Sequence, residues 1–240
     1  MKIFLDVGAH EGETLNAVRD PKYGFDRIYC FEPASVCWSA LESVRDDRVD
    51  VCRFGLWNQT SSHALYDVGS LGASLYAEKF GDARAEETAQ FVRATHWFAE
   101  HVQHGDEVYL KLNCEGAECD IVEDLLASGQ FARVRSAMID PDIRKIPPLA
   151  HREQELRERL AAAGLTNYFM EEDVMVGPTH RARIQNWLRL AGAEDRSWPA
   201  RLRQLAFLAT EAARGRRSPL RGALTRRGAA ATSRRVPARP

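Results

Sequence analysis

The stretch Lys2-Ile3-Phe4-Leu5-Asp6-Val7-Gly8-Ala9-His10-Glu11-Gly12-Glu13-Thr14 constrains the fold of this chain more than any other. An apolar run, an acid, two glycines and then Leu15, Ala17 and Val18 predict a buried strand, a tight turn and the start of a helix. Gly8 and Gly12 let the backbone turn sharply and approach a bound molecule, and the first helix amides point unpaired N–H groups at it. The turn reads as a ligand cradle, with Asp6, Gly8, Ala9, His10 and Gly12 as its candidate binding residues.

A strand, glycine turn and helix can hold either a dinucleotide or S-adenosyl-L-methionine. The spacing here is Gly-x-x-x-Gly, without the middle glycine that brings a backbone against a pyrophosphate. A pyrophosphate would also meet Asp6, Glu11 and Glu13 with no Lys or Arg in the turn. S-adenosyl-L-methionine, cationic at sulfur and amine, suits acids, so it is the expected ligand and a nicotinamide dinucleotide the disfavoured one. The alternative use of Glu11 and Glu13 is to complement a helix dipole with no ligand present.

At 240 residues the chain can form one large α/β domain, and nothing in its middle has the composition of a linker. Residues 1–213 are expected to be that domain. The formal net charge of −1 hides an asymmetry, since residues 214–240 hold nine Arg and no acid and leave about −10 for the rest. An acidic body argues against specific nucleic-acid binding and for a small-molecule enzyme. Cys30, Cys37, Cys52, Cys114 and Cys119 form no C-x-x-C pair and read as reduced core residues. No leader precedes the first strand and no run approaches the ~18 apolar residues of a spanning helix, so the expected location is cytoplasmic.

Further along, Arg27 to Phe31 predicts a second strand closing at Glu32-Pro33. Glu32 stands 20 residues beyond Gly12, where an acid at the second strand's end can accept hydrogen bonds from ribose hydroxyls. Ala34 to Val44 has a helical apolar stripe, and Val49 to Trp57 predicts a third strand. Its end, Gly55-Leu56-Trp57, offers Leu56 to an adenine, while Trp57 serves equally as core. His63 to Val68 predicts a short strand, followed by Gly69 to Leu75, a segment able to close over a substrate or to be a plain loop. Residues 82–102 read as one helix. His96, His101 and His104 near its end lack any metal-ligand pattern, and no metal is expected.

The second chemical stretch runs from Glu107 to Glu118. Val108, Leu110, Leu112 and Cys114 alternate to one face, leaving Tyr109, Lys111, Asn113 and Glu115 on the other. A mid-strand lysine needs a partner, and Asn113 or Glu115 on its own strand are the expected ones. Gly116 turns the chain into a helix from Glu118 to Leu126. Ser136 to Ile143 predicts a strand ending in Asp140 and Asp142, His151 to Ala163 a helix, and Asn167 to Val176 one or two strands that complete the sheet as an antiparallel hairpin. Helices follow from Arg181 to Ala213, expected to pack on the domain or on a second copy as a homodimer. Residues 214–240, made of Arg, Gly, Ala, Ser and Pro with few apolar residues, are expected to be disordered. They suit a polyanion, a membrane surface or plain solvent.

With these residues in view the chain resembles the FkbM-like family of class I S-adenosylmethionine-dependent methyltransferases. Asp6-Val7-Gly8-Ala9-His10-Glu11-Gly12 is similar to the first motif, Phe31-Glu32-Pro33 to the second, and Lys111-Leu112-Asn113-Cys114-Glu115-Gly116-Ala117-Glu118 to Lys-x-Asp-x-Glu-Gly-x-Glu. The resemblance covers about residues 3–145 and implies a Rossmann-like, doubly wound α/β fold. Its sheet would have seven strands, six parallel and one antiparallel, with helices on both faces. It further implies methyl transfer from S-adenosyl-L-methionine to a hydroxyl of a sugar or natural-product molecule. Glu115 is then the first candidate base, with His10, Asp140 and Asp142 behind it and Lys111 and Asn113 beside it. Asn113 stands where the pattern has Asp, and an amide cannot take a proton as a carboxylate does. A binding or assembly module that keeps the fold without catalysis is the alternative.

Overall fold

The computed structural model describes residues 1–81, 86–195 and 197–216. Its elements in chain order are β1 (Lys2–Val7), α1 (Leu15–Val18), β2 (Arg27–Phe31), α2 (Trp38–Val44), β3 (Val49–Cys52), β4 (Gly55–Trp57), β5 (Ser61–Leu65), β6 (Glu87–Arg93) and α3 (Ala94–His101). Then come β7 (Glu107–Leu112), α4 (Glu118–Ala127), β8 (Val134–Ile139), α5 (Arg152–Ala162), β9 (Tyr168–Met170), α6 (Glu171–Val174), α7 (His180–Leu190) and α8 (Trp198–Arg216).

The main sheet has six strands in the order β3-β2-β1-β7-β8-β9, every pair parallel. A parallel sheet is buried on both faces, and the strands alternate two apolar sets accordingly. Ile3, Leu5, Val7, Leu110 and Leu112 pack with Trp97, Phe98, Ile121, Val122, Leu125, Leu156 and Leu160 of α3, α4 and α5. Phe4, Ile28, Cys30, Tyr109 and Met138 pack with Leu15, Val18, Leu41, Ile184, Trp187 and Leu188 of α1, α2 and α7. Helices therefore cover both faces. The chain leaves β1 toward β2 on one side and reaches β7 on the other, so the crevice at the strands' carboxyl ends opens beside β1, where open α/β sheets bind ligands.

The sheet departs from expectation in size and direction: among the described residues it has six strands, not seven, and no antiparallel member. The single third strand expected over 49–57 is two. Val49–Cys52 pairs with β2, the chain turns at Arg53-Phe54, and Gly55–Trp57 joins a second sheet of order β4-β6-β5. The antiparallel pairing belongs to that sheet, between β5 and β6. β6 itself replaces most of the long helix expected over 82–102; Ala89 and Phe91 face inward while Thr88 and Gln90 face out, a period of two that switches to helical only at Ala94. Residues 82–85 of that expected helix lie outside the described residues. The expected hairpin over 167–176 is a three-residue parallel strand followed by the short helix α6. Residues 214–216, assigned to the tail, are the last turn of α8, and 217–240 lie outside the described residues. No helix among the described residues is long and apolar enough to cross a membrane.

Candidate active site

The carboxyl ends of β1, β2 and β7 meet around a cavity of about 380 Å³. The turn after β1 is tight, with Gly8, His10 and Gly12 all in the left-handed region at φ 79°, 46° and 93°. Gly8 is required by close approach, because a Cβ there would lie 1.9 Å from the carbonyl oxygen of Asn113 in the neighbouring turn. Its role is to let two strand ends meet, and the cavity is walled by both turns. Gly12 fits under Leu41 and Val44 of α2 and is absent from the cavity wall.

Glu32 is the organising acid. Its Oε2 accepts the His10 amide at 2.8 Å and its Oε1 the Ala34 amide at 2.9 Å, so one carboxylate ties the tips of β1 and β2 together. It is 6% exposed and lines the cavity. Burial raises its pKa, against the pull of the two amides.

Lys111 pairs with Asp6, its direct neighbour across the β1–β7 ladder, at 2.8 Å. It also donates to the Gly8 carbonyl at 2.9 Å. The partners expected on its own strand, Asn113 and Glu115, are both engaged elsewhere. Asp6 is fully buried and does not line the cavity, whereas Lys111 does. Burial raises the Asp6 pKa and Lys111 pulls it back.

Asn113 donates from Nδ2 to Asp140 Oδ2 at 3.1 Å, and Asp140 Oδ1 accepts from Arg144 at 2.8 Å. That contact gives a physical reason for an amide at position 113: a carboxylate there would oppose Asp140. Glu115 sits at φ 62° in the turn before α4, and its Oε2 lies 2.5 Å from Lys79 Nζ and 3.4 Å from Lys145 Nζ. Both Asn113 and Glu115 line the cavity; Asp140 and Asp142 do not. Glu118 is structural, its carboxylate accepting the Cys114 and Gly116 amides at 2.6 and 3.0 Å. Burial and the nearby Asp142 push its pKa up to about 8.

The segment between β5 and β6 closes one side, with Ser70, Leu71, Ala73, Ser74 and Leu75 in the wall. Ser74 Oγ donates to the Glu115 carbonyl at 2.6 Å, Tyr76 hydrogen-bonds Asp120, and Lys79 reaches Glu115, so three side chains latch this segment to the β7–α4 turn and the first turn of α4. Leu56, Leu65 and Phe91 make an apolar end to the cavity. Trp57 is not in the wall; its Nε1 donates to Asp120 at 2.9 Å.

His10 lines the cavity with Nδ1 at 2.8 Å from Glu13 Oε1, and its buried Nε2 makes no hydrogen bond. Burial lowers its pKa, but Glu13 and the Gly69 carbonyl outweigh that and raise it. Two wall residues escape a reading of the sequence. His180, at the start of α7, brings Nε2 to 3.0 Å from Thr14 Oγ1, and the two are 166 positions apart. Burial and then Lys111 lower the His180 pKa. No local motif marks either residue; the only signal is the start of an amphipathic helix at Thr179, whose hydroxyl caps it. His101 stacks on Trp97 at 4.4 Å. Among the described residues only His10, Glu11 and Glu13 bring three ligand-type atoms within 4.8 Å of one another.

No protein-family model matches the chain, and no curated protein matches it. A solved structure similar in part is that of methyltransferase FkbM from Methylobacillus flagellatus KT, with 15% sequence identity and a TM-score of 0.36. The match covers 53% of this chain and spans 29% of that one. A partial overlap of this size carries no functional argument.

Proposed function

We propose that this chain is an S-adenosyl-L-methionine-dependent methyltransferase acting on a hydroxyl of a small sugar or natural-product molecule. The observation that carries this is Glu32, a buried carboxylate fixed by two backbone amides at the wall of the cavity beside the Gly8 turn.

The residues fit the cofactor. The cavity volume falls within the range of small-molecule sites, about 300–1,000 Å³. Carboxylates of Glu13, Glu32 and Glu115 in the wall suit a ligand cationic at sulfur and amine. Lys111 has three N–H donors, of which Asp6 and the Gly8 carbonyl take two, leaving one for a carboxylate. Gly8, Ala9, His10 and Lys111 would hold the amino-acid end, Glu32 the ribose hydroxyls, and Leu56 with Leu65 and Phe91 the adenine. When bound, the cofactor supplies an electrophilic methyl group.

What remains for the chain is to orient the acceptor and take its proton. Glu115 is the proposed proton acceptor, held in place by Lys79 and Lys145. Asn113, anchored on Asp140, orients the acceptor. His10, a wall residue with Nδ1 on Glu13 Oε1 and Nε2 buried, is the second candidate. The test is methyl transfer to a panel of hydroxylated acceptors, followed by its pH profile. Loss of transfer in Glu115→Gln with binding retained supports Glu115; loss of a histidine limb only in His10→Gln moves the role to His10. The alternative, a binding module without catalysis, is favoured by the two lysines already seated on Glu115. It predicts cofactor binding with no transfer to any acceptor.

A further inference from the structure

The segment after β5 that walls one side of the cavity has little regular structure of its own. Residues 66–81 hold one short 3₁₀ turn, Ala77–Lys79, and an isolated bridge between Tyr66 and Ser74. Gly69 and Gly81 stand toward its two ends at φ 87° and 66°, and a Cβ at Gly81 would meet nothing within 4 Å. Packing therefore does not hold the chain at Gly81, and positions of this kind absorb the backbone change of a hinge.

The three side chains that hold the segment down are not equivalent. Ser74 donates to a backbone carbonyl, that of Glu115. Tyr76 shares Asp120 Oδ2 with Trp57 while Asp120 Oδ1 accepts from Arg152 at 2.8 Å, and its ring lies over Gly116, where a Cβ would come within 2.9 Å of it. Neither contact involves a group that exchanges a proton with an acceptor in the cavity. Lys79 does, through Glu115 Oε2 at 2.5 Å, and the two side chains are only 9% and 13% exposed. The other hydrogen bond of Lys79 goes to the Gly72 carbonyl at 2.6 Å, inside its own segment. Among the described residues, Glu115 is thus what ties this ammonium to the opposite wall.

The charged groups facing Glu115 are Lys79 from the segment, and Lys145 and Asp142 from the turn after β8. Lys145 is 3.4 Å from Glu115 but 2.6 Å from Asp142, so it keeps a counter-charge whatever Glu115 does. Lys79 does not. Neutralising one member of a largely buried pair leaves the other uncompensated.

We infer that residues 66–80 are a lid on this cavity and that the charge of Glu115 is its latch, so that a proton taken up by Glu115 releases the lid. The release step rests on Glu115 as the proton acceptor proposed above; the latch itself does not. With Glu115 ionised the segment is held down on Lys79. Once a Glu115 carboxylate oxygen holds the proton of an acceptor hydroxyl, Lys79 loses its counter-charge, the segment loosens, and the proton passes to entering water. Opening is thereby tied to completed proton transfer.

Hydrogen exchange of the full chain without ligand, read by mass spectrometry in peptides covering 66–80, tests the latch. Lys79→Met is expected to speed exchange there by about ten- to a hundred-fold, as loss of a charge-assisted hydrogen bond requires, with β1 and β7 unchanged. Glu115→Gln, which keeps the neutral form, is expected to match it. The double variant should add little more, and Lys79→Arg should restore slow exchange. Unchanged exchange at 66–80 in Lys79→Met or Glu115→Gln overturns the inference, and so does faster exchange that spreads to β1 and β7. Repeating the native measurement with S-adenosyl-L-methionine should slow exchange at 66–80; binding without that slowing overturns the lid. If the ligand does not bind while the ligand-free results hold, the cofactor reading fails and the latch stands.

Discussion

Replacing Lys111 with Met tests how the two strands that build the cavity are joined. Lys111 and Asp6 are 5% and 0% exposed in their side chains and 2.8 Å apart. Removing one partner of such a pair leaves an uncompensated buried charge and costs about 3–5 kcal/mol. The sign of its pH dependence follows from Asp6. Its folded pKa is already raised by burial, and Lys111 is the group that pulls it down. Without Lys111 the value rises further. An acid with a raised folded pKa costs nothing below the unfolded value of about 3.9, costs more as the pH rises from there to the folded value, and costs its full amount above it. Lys111→Met should therefore lose about 3 kcal/mol at neutral pH, and the loss should shrink as the pH falls toward 4. In the double variant Asp6→Val with Lys111→Met no charge is left stranded, and less should be lost than in Lys111→Met alone. Urea denaturation midpoints at several pH values, followed by circular dichroism, give all of these quantities. A loss below about 1 kcal/mol, independent of pH and additive with Asp6→Val, would refute the buried pair as the join between β1 and β7.

Gly8→Ala places a Cβ 1.9 Å from the Asn113 carbonyl at a left-handed φ, and should cost about 3 kcal/mol or more in thermal or urea unfolding; a near-native midpoint would show that the two turns do not touch. Glu118, with a folded pKa of about 8, binds its proton more readily in the folded state, so it makes stability fall as the pH rises from about 4.5 to 8. Glu118→Gln should flatten that slope in a pH series of unfolding curves, and an unchanged slope would assign it to other groups.

Much of the site was legible because local chemistry marks it. Two glycines after an apolar run locate the β1 turn, and an acid before a proline at the end of the next strand locates Glu32. The Lys111 strand was legible as a strand, but its partner was misassigned. Residues two apart on one strand are about 6.6 Å apart along it, while the neighbouring strand lies about 4.8 Å away. Register across strands decided in favour of Asp6, and register is not written in a single sequence. His180 reaches Thr14 from 166 positions away for the same reason. β6 was hidden because Phe91, Val92, Trp97 and Phe98 blend a two-residue period into a helical one, with the change at Arg93. The seventh strand was expected from the family resemblance, but over 167–176 only Tyr168–Met170 pairs before the acidic run Glu171-Glu172-Asp173 starts a helix. The latch formed by Ser74, Tyr76 and Lys79 had no signal beyond the loop's glycines.

Calorimetric titration of the protein with S-adenosyl-L-methionine, alongside Glu32→Gln, measures the central claim most directly. Saturable binding at one site is expected, weakened in Glu32→Gln by about ten- to a hundred-fold, as loss of a charge-assisted hydrogen bond of about 1.5–3 kcal/mol requires. No heat of binding at millimolar ligand, or equal affinity in Glu32→Gln, would contradict the assignment of this cavity to the cofactor.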